Sequence, residues 1–322
     1  MHSWSNRPLR DGKDADEWKP TSASEAAANI DEWYHAGRLL FPRDSLQDVH
    51  DQLRKPLKKG DTISVKAFDG SVYEYPVRTG EIKTVLERDG DKGEDKRVQW
   101  VMTTPHIDYA SFEWLKQRLE YSLSRAYCSV SIGHWMTRVD HEPEPETPEN
   151  LDSGLEYLHT NLRDWEGSEA WRDIKSTLSS LNLNSKIAKV IGMACGTFTP
   201  TSESRGCRRS AVQHAFLLTL KSFLQESNLG TGEVACYAQD PGYSQMDVLV
   251  LEKSDIKVLE DPEGFLEMDD ASLVFSCAPN ICVKEIVADI ARPLVLIWCT
   301  VQEEDSKRPL YVFIASVVTM VG

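Results

Sequence analysis

The sequence predicts an α/β protein with a Rossmann-like, mostly parallel sheet and flanking helices, preceded by a smaller α+β amino-terminal region. Three observations carry this reading. Five apolar strand-like runs alternate with helix-like runs between Lys186 and Thr300. The polar residues suited to chemistry collect just after those strands. An acidic, proline-rich stretch, His141-Glu-Pro-Glu-Pro-Glu-Thr-Pro-Glu149, separates this part from a region of different character. Strands alternating with helices are joined by crossovers and so lie parallel, with ligands at their carboxyl ends.

The first run, Ile187-Ala-Lys-Val-Ile191, leads into the turn Gly192-Met-Ala-Cys-Gly196-Thr-Phe198. The second, Glu233-Val-Ala-Cys-Tyr237, ends at Asp240-Pro241, and the third, Ile256-Lys-Val-Leu259, at Glu260-Asp261-Pro262. The fourth, Leu273-Val-Phe-Ser-Cys277, precedes Ala278-Pro279-Asn280, and Leu294-Val-Leu-Ile-Trp298 closes the series. Val212, Ala215, Phe216, Thr219, Leu220 and Phe223 recur at three- and four-residue steps, the spacing of one helix face, which Ser210 would cap. Met246, Leu249 and Val250 form a shorter face. Val283, Ile286, Val287 and Ile290 form another, with Asn280 as its expected cap and Arg292-Pro293 as its end. The tail from Leu310 to Val321 is rich in strand-favouring residues. It is expected to pair antiparallel with the fifth strand across the loop 302–309.

Four divisions follow: a disordered start over 1–24, an α+β accessory region over 25–139, a linker over 140–153 and the Rossmann-like domain over 154–322. In the accessory region, Glu25 to Leu53 reads as helical. Asp69-Gly70 between two alternating runs, 62–68 and 71–77, predicts a tight hairpin. A charged loop is expected over 87–97, a strand over 98–102 and a helix over 112–127. Trp33, Trp100, Trp114 and Trp135 predict apolar contacts here, because disordered segments are poor in aromatics.

The chain has 322 residues and a formal charge of −15. That charge argues against sequence-independent nucleic-acid binding, which needs Lys and Arg to neutralise phosphates. Residues 1–31 are polar without an apolar segment, so no signal peptide is expected, and the tail is too short for a membrane-spanning helix. Seven cysteines, several inside apolar runs, are expected to be free thiols of a reducing compartment, cytoplasmic or nuclear.

The candidate ligand residues lie at the strand ends. Gly192 and Gly196 would bring backbone amides near a ligand at a helix start, with Thr197 beside them, and Arg209 would add a cation. Asp240 ends the second strand, where nucleotide folds place an acid that accepts from ribose hydroxyls; its alternative role is to hold the Asp-Pro-Gly turn. Gln213, with His214 beside it, sits on the helix that follows, while Pro279 and Asn280 occupy the loop after the fourth strand. A packed histidine is the commoner fate of His214. No residue is assigned as catalytic. No metal site is expected, since Cys277 and Cys282 lack partners at zinc-site spacing. S-adenosylmethionine or a nucleotide fits the strand edge. Haem fits less well, because no Cys-Pro dipeptide is present.

Five ordered blocks bear a further resemblance. These are Cys195-Gly196-Thr197-Phe198, Gln213-His214-Ala215, Tyr237-Ala-Gln-Asp240-Pro241, Pro262-Glu263-Gly264-Phe265 and Ser276-Cys-Ala-Pro279-Asn280. Over about residues 185–298 the chain resembles the Sensitivity to Red Light Reduced family in a form like that of its fungal members. Plant-type members carry a glycine where Ala194 stands, an arginine where Ala211 stands and a histidine where Asn280 stands. The resemblance implies a regulatory protein of the light-signalling and circadian kind, working through protein partners with a small-molecule ligand. An S-adenosylmethionine- or nucleotide-dependent transferase is the alternative from another class.

Overall fold

A computed structural model describes residues 22–88, 95–140, 147–199, 205–277, 279–299 and 315–319. The expected disordered start up to residue 21, most of the 87–97 loop, the first part of the linker and the 302–309 loop lie outside the described residues. The chain divides into two compact units, Met1–Glu144 and Pro145–Gly322.

In the first unit, the single helical stretch expected from Glu25 to Leu53 is two helices, α1 (Ala23–His35) and α2 (Arg43–Leu53). Ser22 starts α1 by accepting the Glu25 amide, and the break follows Gly37, whose φ of +82° is left-handed. The predicted hairpin forms between β1 (Thr62–Lys66) and β2 (Val72–Pro76). Asp69 holds its turn by accepting the Ser71 amide and hydroxyl. Next, β3 (Ile82–Arg88), β4 (Asp95–Tyr109) and β5 (Val130–Arg138) make an antiparallel sheet. Residues 87–88 and 95–97, expected in a loop, belong to its strands. The helix expected over 112–127 is α3 (Phe112–Gln117) followed by two short 3-10 turns. The tryptophans take up contacts as expected: Trp33 packs on Tyr127 at 4.9 Å and Trp135 stacks on His106 at 4.2 Å, while Trp114 stays half exposed.

The second unit begins with α4 (Pro148–Glu166), capped by Thr147 with Pro148 in its first turn, so the end of the acidic stretch is helical. There follow α5 (Glu169–Ser179), β6 (Ile187–Met193), α6 (Arg205–Glu226), β7 (Gly230–Gln239) and α7 (Gln245–Lys253). Then come β8 (Lys257–Val258), α8 (Glu263–Leu266), β9 (Ser272–Ser276), α9 (Val283–Ile290), β10 (Val295–Cys299) and β11 (Ala315–Thr319). The sheet order is β11-β10-β9-β6-β7-β8. Strands β6 to β10 are mutually parallel and β11 joins antiparallel to β10, as expected for the tail. Counted from β6, the parallel strands run 3-2-1-4-5, the doubly wound order, with the reversal between β6 and β9.

The core explains the order of layers. Val190, Ile191, Leu273, Val274 and Phe275 are buried, because a parallel strand is covered on both faces. On one face lies α6, where Phe216 meets Phe275 edge-on at 4.9 Å. Gly192 lets that helix approach: a Cβ there would clash with the Leu217 side chain. Helix α4 covers α6 through Trp165 and Phe216, 5.3 Å apart. On the opposite face, α8 comes close enough that a Cβ on Gly264 would lie 2.7 Å from Gln239.

Two expected caps are corrected. Helix α6 starts at Arg205, so Ser210 is interior and its carbonyl accepts from His214 instead. Helix α9 starts after Cys282, and Asn280 is exposed outside it, because residues 279–282 form a connecting loop before the first turn. The expectation of free thiols holds for Cys128, Cys195, Cys207, Cys236 and Cys282, but Cys277 is disulfide-bonded.

Candidate functional site

The carboxyl ends of β6 and β7 are tied together by two aspartates. Asp240, one residue past β7, accepts the Gly196 amide at 2.6 Å with Oδ2 and the Gly242 amide at 2.8 Å with Oδ1. Its second bond is the Asp-Pro-Gly turn; its first crosses to the loop after β6. Gly196 has a φ of +77°, a left-handed backbone that glycine adopts without strain and that aims its amide at the carboxylate. Burial raises the Asp240 pKa, against the lowering effect of the Gly242 and Gly196 amides.

Asp247, in the first turn of α7, is the more heavily engaged acid. Its Oδ2 accepts from the Thr197 hydroxyl at 2.5 Å and from the Ser244 amide and hydroxyl, both at 2.8 Å. Its Oδ1 accepts the Phe198 amide at 3.0 Å and the Thr199 amide and hydroxyl, both at 2.8 Å. The residue is fully buried. Burial alone would raise its pKa, but the Thr197 hydroxyl and the amides of Phe198, Thr199 and Ser244 together hold it below the usual carboxylate value. With the Ser244 side chain accepting the Asp247 amide, this is a reciprocal capping box extended to a distant loop. Asp247 is not among the site residues expected from the sequence. The signal was present as Ser244-Gln-Met-Asp247 ahead of an apolar run.

His214 is packed. Its Nδ1–H donates to the Ser210 carbonyl at 2.6 Å, which makes Nε2 the acceptor of the Tyr243 hydroxyl at 2.7 Å. Burial pushes its pKa down to about 4, so the ring is neutral near pH 7. Gln213 is 8% exposed; its Nε2 donates to the Cys195 carbonyl at 3.3 Å, and its Oε1 is buried without a hydrogen-bond partner. Across the sheet, Gln239 donates to Asp261 at 2.8 Å and accepts the Gly264 amide at 2.5 Å, which fixes the Pro262-Glu263-Gly264-Phe265 block to the end of β7.

Of the residues expected at a site, Gly196, Thr197, Gln213 and Asp240 gather around the loop after β6. Gly192 belongs to β6 itself and serves the approach of α6, a correction to its place in the turn. Arg209 is exposed on α6 one turn before Gln213. Pro279 and Asn280 lie on the loop after β9, on the other side of the strand-order reversal.

Among the described residues, no group of three or more His, Cys, Asp or Glu could hold a metal ion, and no helix is long and apolar enough to cross a membrane. Comparison with curated proteins and with solved structures gives no match. A family model does match, over residues 174–317, which run from within α5 to within β11 and include every strand of the six-stranded sheet. The second unit therefore carries an SRR1 domain, the domain of the Sensitivity to Red Light Reduced family.

Proposed function

We propose that this protein is a regulator that works through protein contacts in the cytoplasm or nucleus and senses a small ligand at the carboxyl edge of its parallel sheet. The regulatory part rests on the family, whose plant members imply control of the light-signalling and circadian kind. The ligand part rests on one observation: the strand order reverses between β6 and β9, and in doubly wound sheets the crevice at such a reversal is where ligands bind. Gly196 and Thr197 on the loop after β6, Asp240 after β7, Gln213 on α6, and Pro279 and Asn280 on the loop after β9 are the residues that would meet such a ligand.

A transferase using S-adenosylmethionine or a nucleotide would draw on the same edge. Against it stands the engagement of two titratable groups there, Asp247 and His214. Asp247 is saturated by donors and His214 has both ring nitrogens bonded, so neither offers a base without breaking the loop it holds.

Thermal-shift measurement with S-adenosylmethionine, nicotinamide and flavin nucleotides, nucleosides and haem tests the ligand reading, because a ligand bound only by the native state raises apparent stability. A shift without turnover is expected. If no compound in the panel shifts the protein, the ligand part fails and a pure interaction module remains.

A further inference from the structure

In nucleotide-binding folds of this order, the loop after the first strand offers free amides to a phosphate, helped by the positive end of the next helix. Here the chain's own carboxylates take those donors. The Gly196 amide is bonded to Asp240; the Thr197 hydroxyl and the amides of Phe198 and Thr199 are bonded to Asp247. Asp247 thus fills the anion cradle from within. A phosphate entering it would have to displace a buried carboxylate from hydrogen bonds already made, or approach a like charge where water screens it poorly.

The groups left over have the opposite character. Gln213 is more than nine-tenths buried, and the hydrogen bond its Nε2 donates to the Cys195 carbonyl fixes its head group at the same loop, with Oε1 as a buried acceptor lacking any donor. Such groups are few in native proteins, because a buried acceptor left unsatisfied loses the hydrogen bonds that water would give it. Asp240, tied to the adjacent Gly196, contributes carboxylate oxygens, each bonded to a single amide and so able to accept again. Two acceptors flanking one loop, whose Gly196, Phe198 and Thr199 amides and Thr197 hydroxyl are internally engaged, call for a ligand that brings donors.

We propose that the loop after β6, at its residues 194–199, takes an uncharged, donor-rich ligand of the nucleoside class, with an N–H or O–H bonded to Gln213 Oε1 and a hydroxyl bonded to Asp240, and that it does not take a phosphate. This rests on the ligand-sensing reading above and names the chemistry of that ligand.

Adenosine, adenosine diphosphate and inorganic phosphate serve as probes, read by calorimetric titration of the full chain and of Gln213→Met and Gln213→Glu. Each variant's own thermal transition reports that it folds. Adenosine is expected to bind, the diphosphate no more tightly, and phosphate not at all. Gln213→Met should weaken adenosine by about tenfold, the loss of one buried hydrogen bond, and Gln213→Glu, which keeps an acceptor oxygen but loses the Nε2 donor to the Cys195 carbonyl, should weaken it less. Binding of phosphate, or of the diphosphate in preference to adenosine, overturns the proposed ligand class yet leaves ligand sensing standing. Adenosine binding unchanged in Gln213→Met overturns the assignment of Gln213. If these probes and the wider thermal-shift panel all fail, both readings fall together.

Discussion

The Thr197 hydroxyl donates to Asp247 Oδ2 at 2.5 Å, across 50 residues of sequence. That bond joins the loop after the first parallel strand to the helix after the second. Because the same carboxylate also accepts the Phe198 and Thr199 amides, the loop's shape depends on one residue remaining ionised.

Asp247→Ala should destabilise the second unit by at least about 3 kcal/mol, since it strands three backbone amides and three hydroxyls around a buried site. Asp247→Asn should cost less, because its amide oxygen still accepts from part of the set. Chemical unfolding of the three proteins checks the ranking. The lowered folded pKa of Asp247 contributes stability that is present above its unfolded value and lost as pH falls through the folded one. Equal unfolding midpoints in Asp247→Ala and the parent would remove Asp247 as the organiser of this loop.

Asp240→Ala separates two roles. The free protein should lose about 1–3 kcal/mol, because the Gly196 and Gly242 amides lose their acceptor. Any ligand-induced thermal shift should disappear as well. If the shift persists in the variant, Asp240 only holds the turn and takes no part in binding.

Ala194→Gly should stabilise the protein by roughly 0.5–1 kcal/mol. Ala194 has a φ of +56°, held there by its amide's bond to the Gln239 carbonyl, and a left-handed backbone costs a residue with a Cβ more than it costs glycine. Equilibrium unfolding in urea checks it; a loss of stability would mean that the Ala194 methyl packs more favourably than the strain costs.

His214 makes stability depend on pH. Its folded pKa, pushed down to about 4 by burial, lies below the ordinary 6.5 of the unfolded chain. The unfolded state therefore binds the proton first. The neutral ring's contribution, about 3 kcal/mol by linkage, is fully present above pH 6.5 and lost as pH falls towards 4. Unfolding midpoints measured between pH 7.5 and 4 should fall more steeply in the parent than in His214→Gln. Parallel slopes would show that His214 is accessible to protons in the native state.

The strands of the second unit were legible because each is a short apolar run bounded by turn residues, and the helices because their faces repeat at the helical period. Val190 pairing in register with Leu273 follows from that pattern only through the sheet order, which no local signal contains. In the first unit, β3 and β5 went unread. Ile82 and Leu86 leave apolar side chains exposed on β3, and β5 contains Gly133 and His134, so neither alternates cleanly between apolar and polar. Asn280 does not cap α9 because capping depends on where the first helical turn begins, and a start two residues later puts Cys282 at the cap position.

At the candidate site, the sequence by itself determined which residues stand at strand ends: Gly196 after β6, Asp240 after β7 and Asn280 after β9, each placed by the length of the apolar run before it. Only the tertiary structure decided what those residues touch. Asp247 lies in the middle of an unremarkable helix start until the parallel pairing of β6 with β7 brings the loop 196–199 against it. There, buried amides that need an acceptor and a buried carboxylate that needs donors satisfy one another. Local periodicity is set by neighbours three or four residues apart, whereas this exchange of hydrogen bonds is set by burial across some 50 residues, and burial exists only once the sheet has formed.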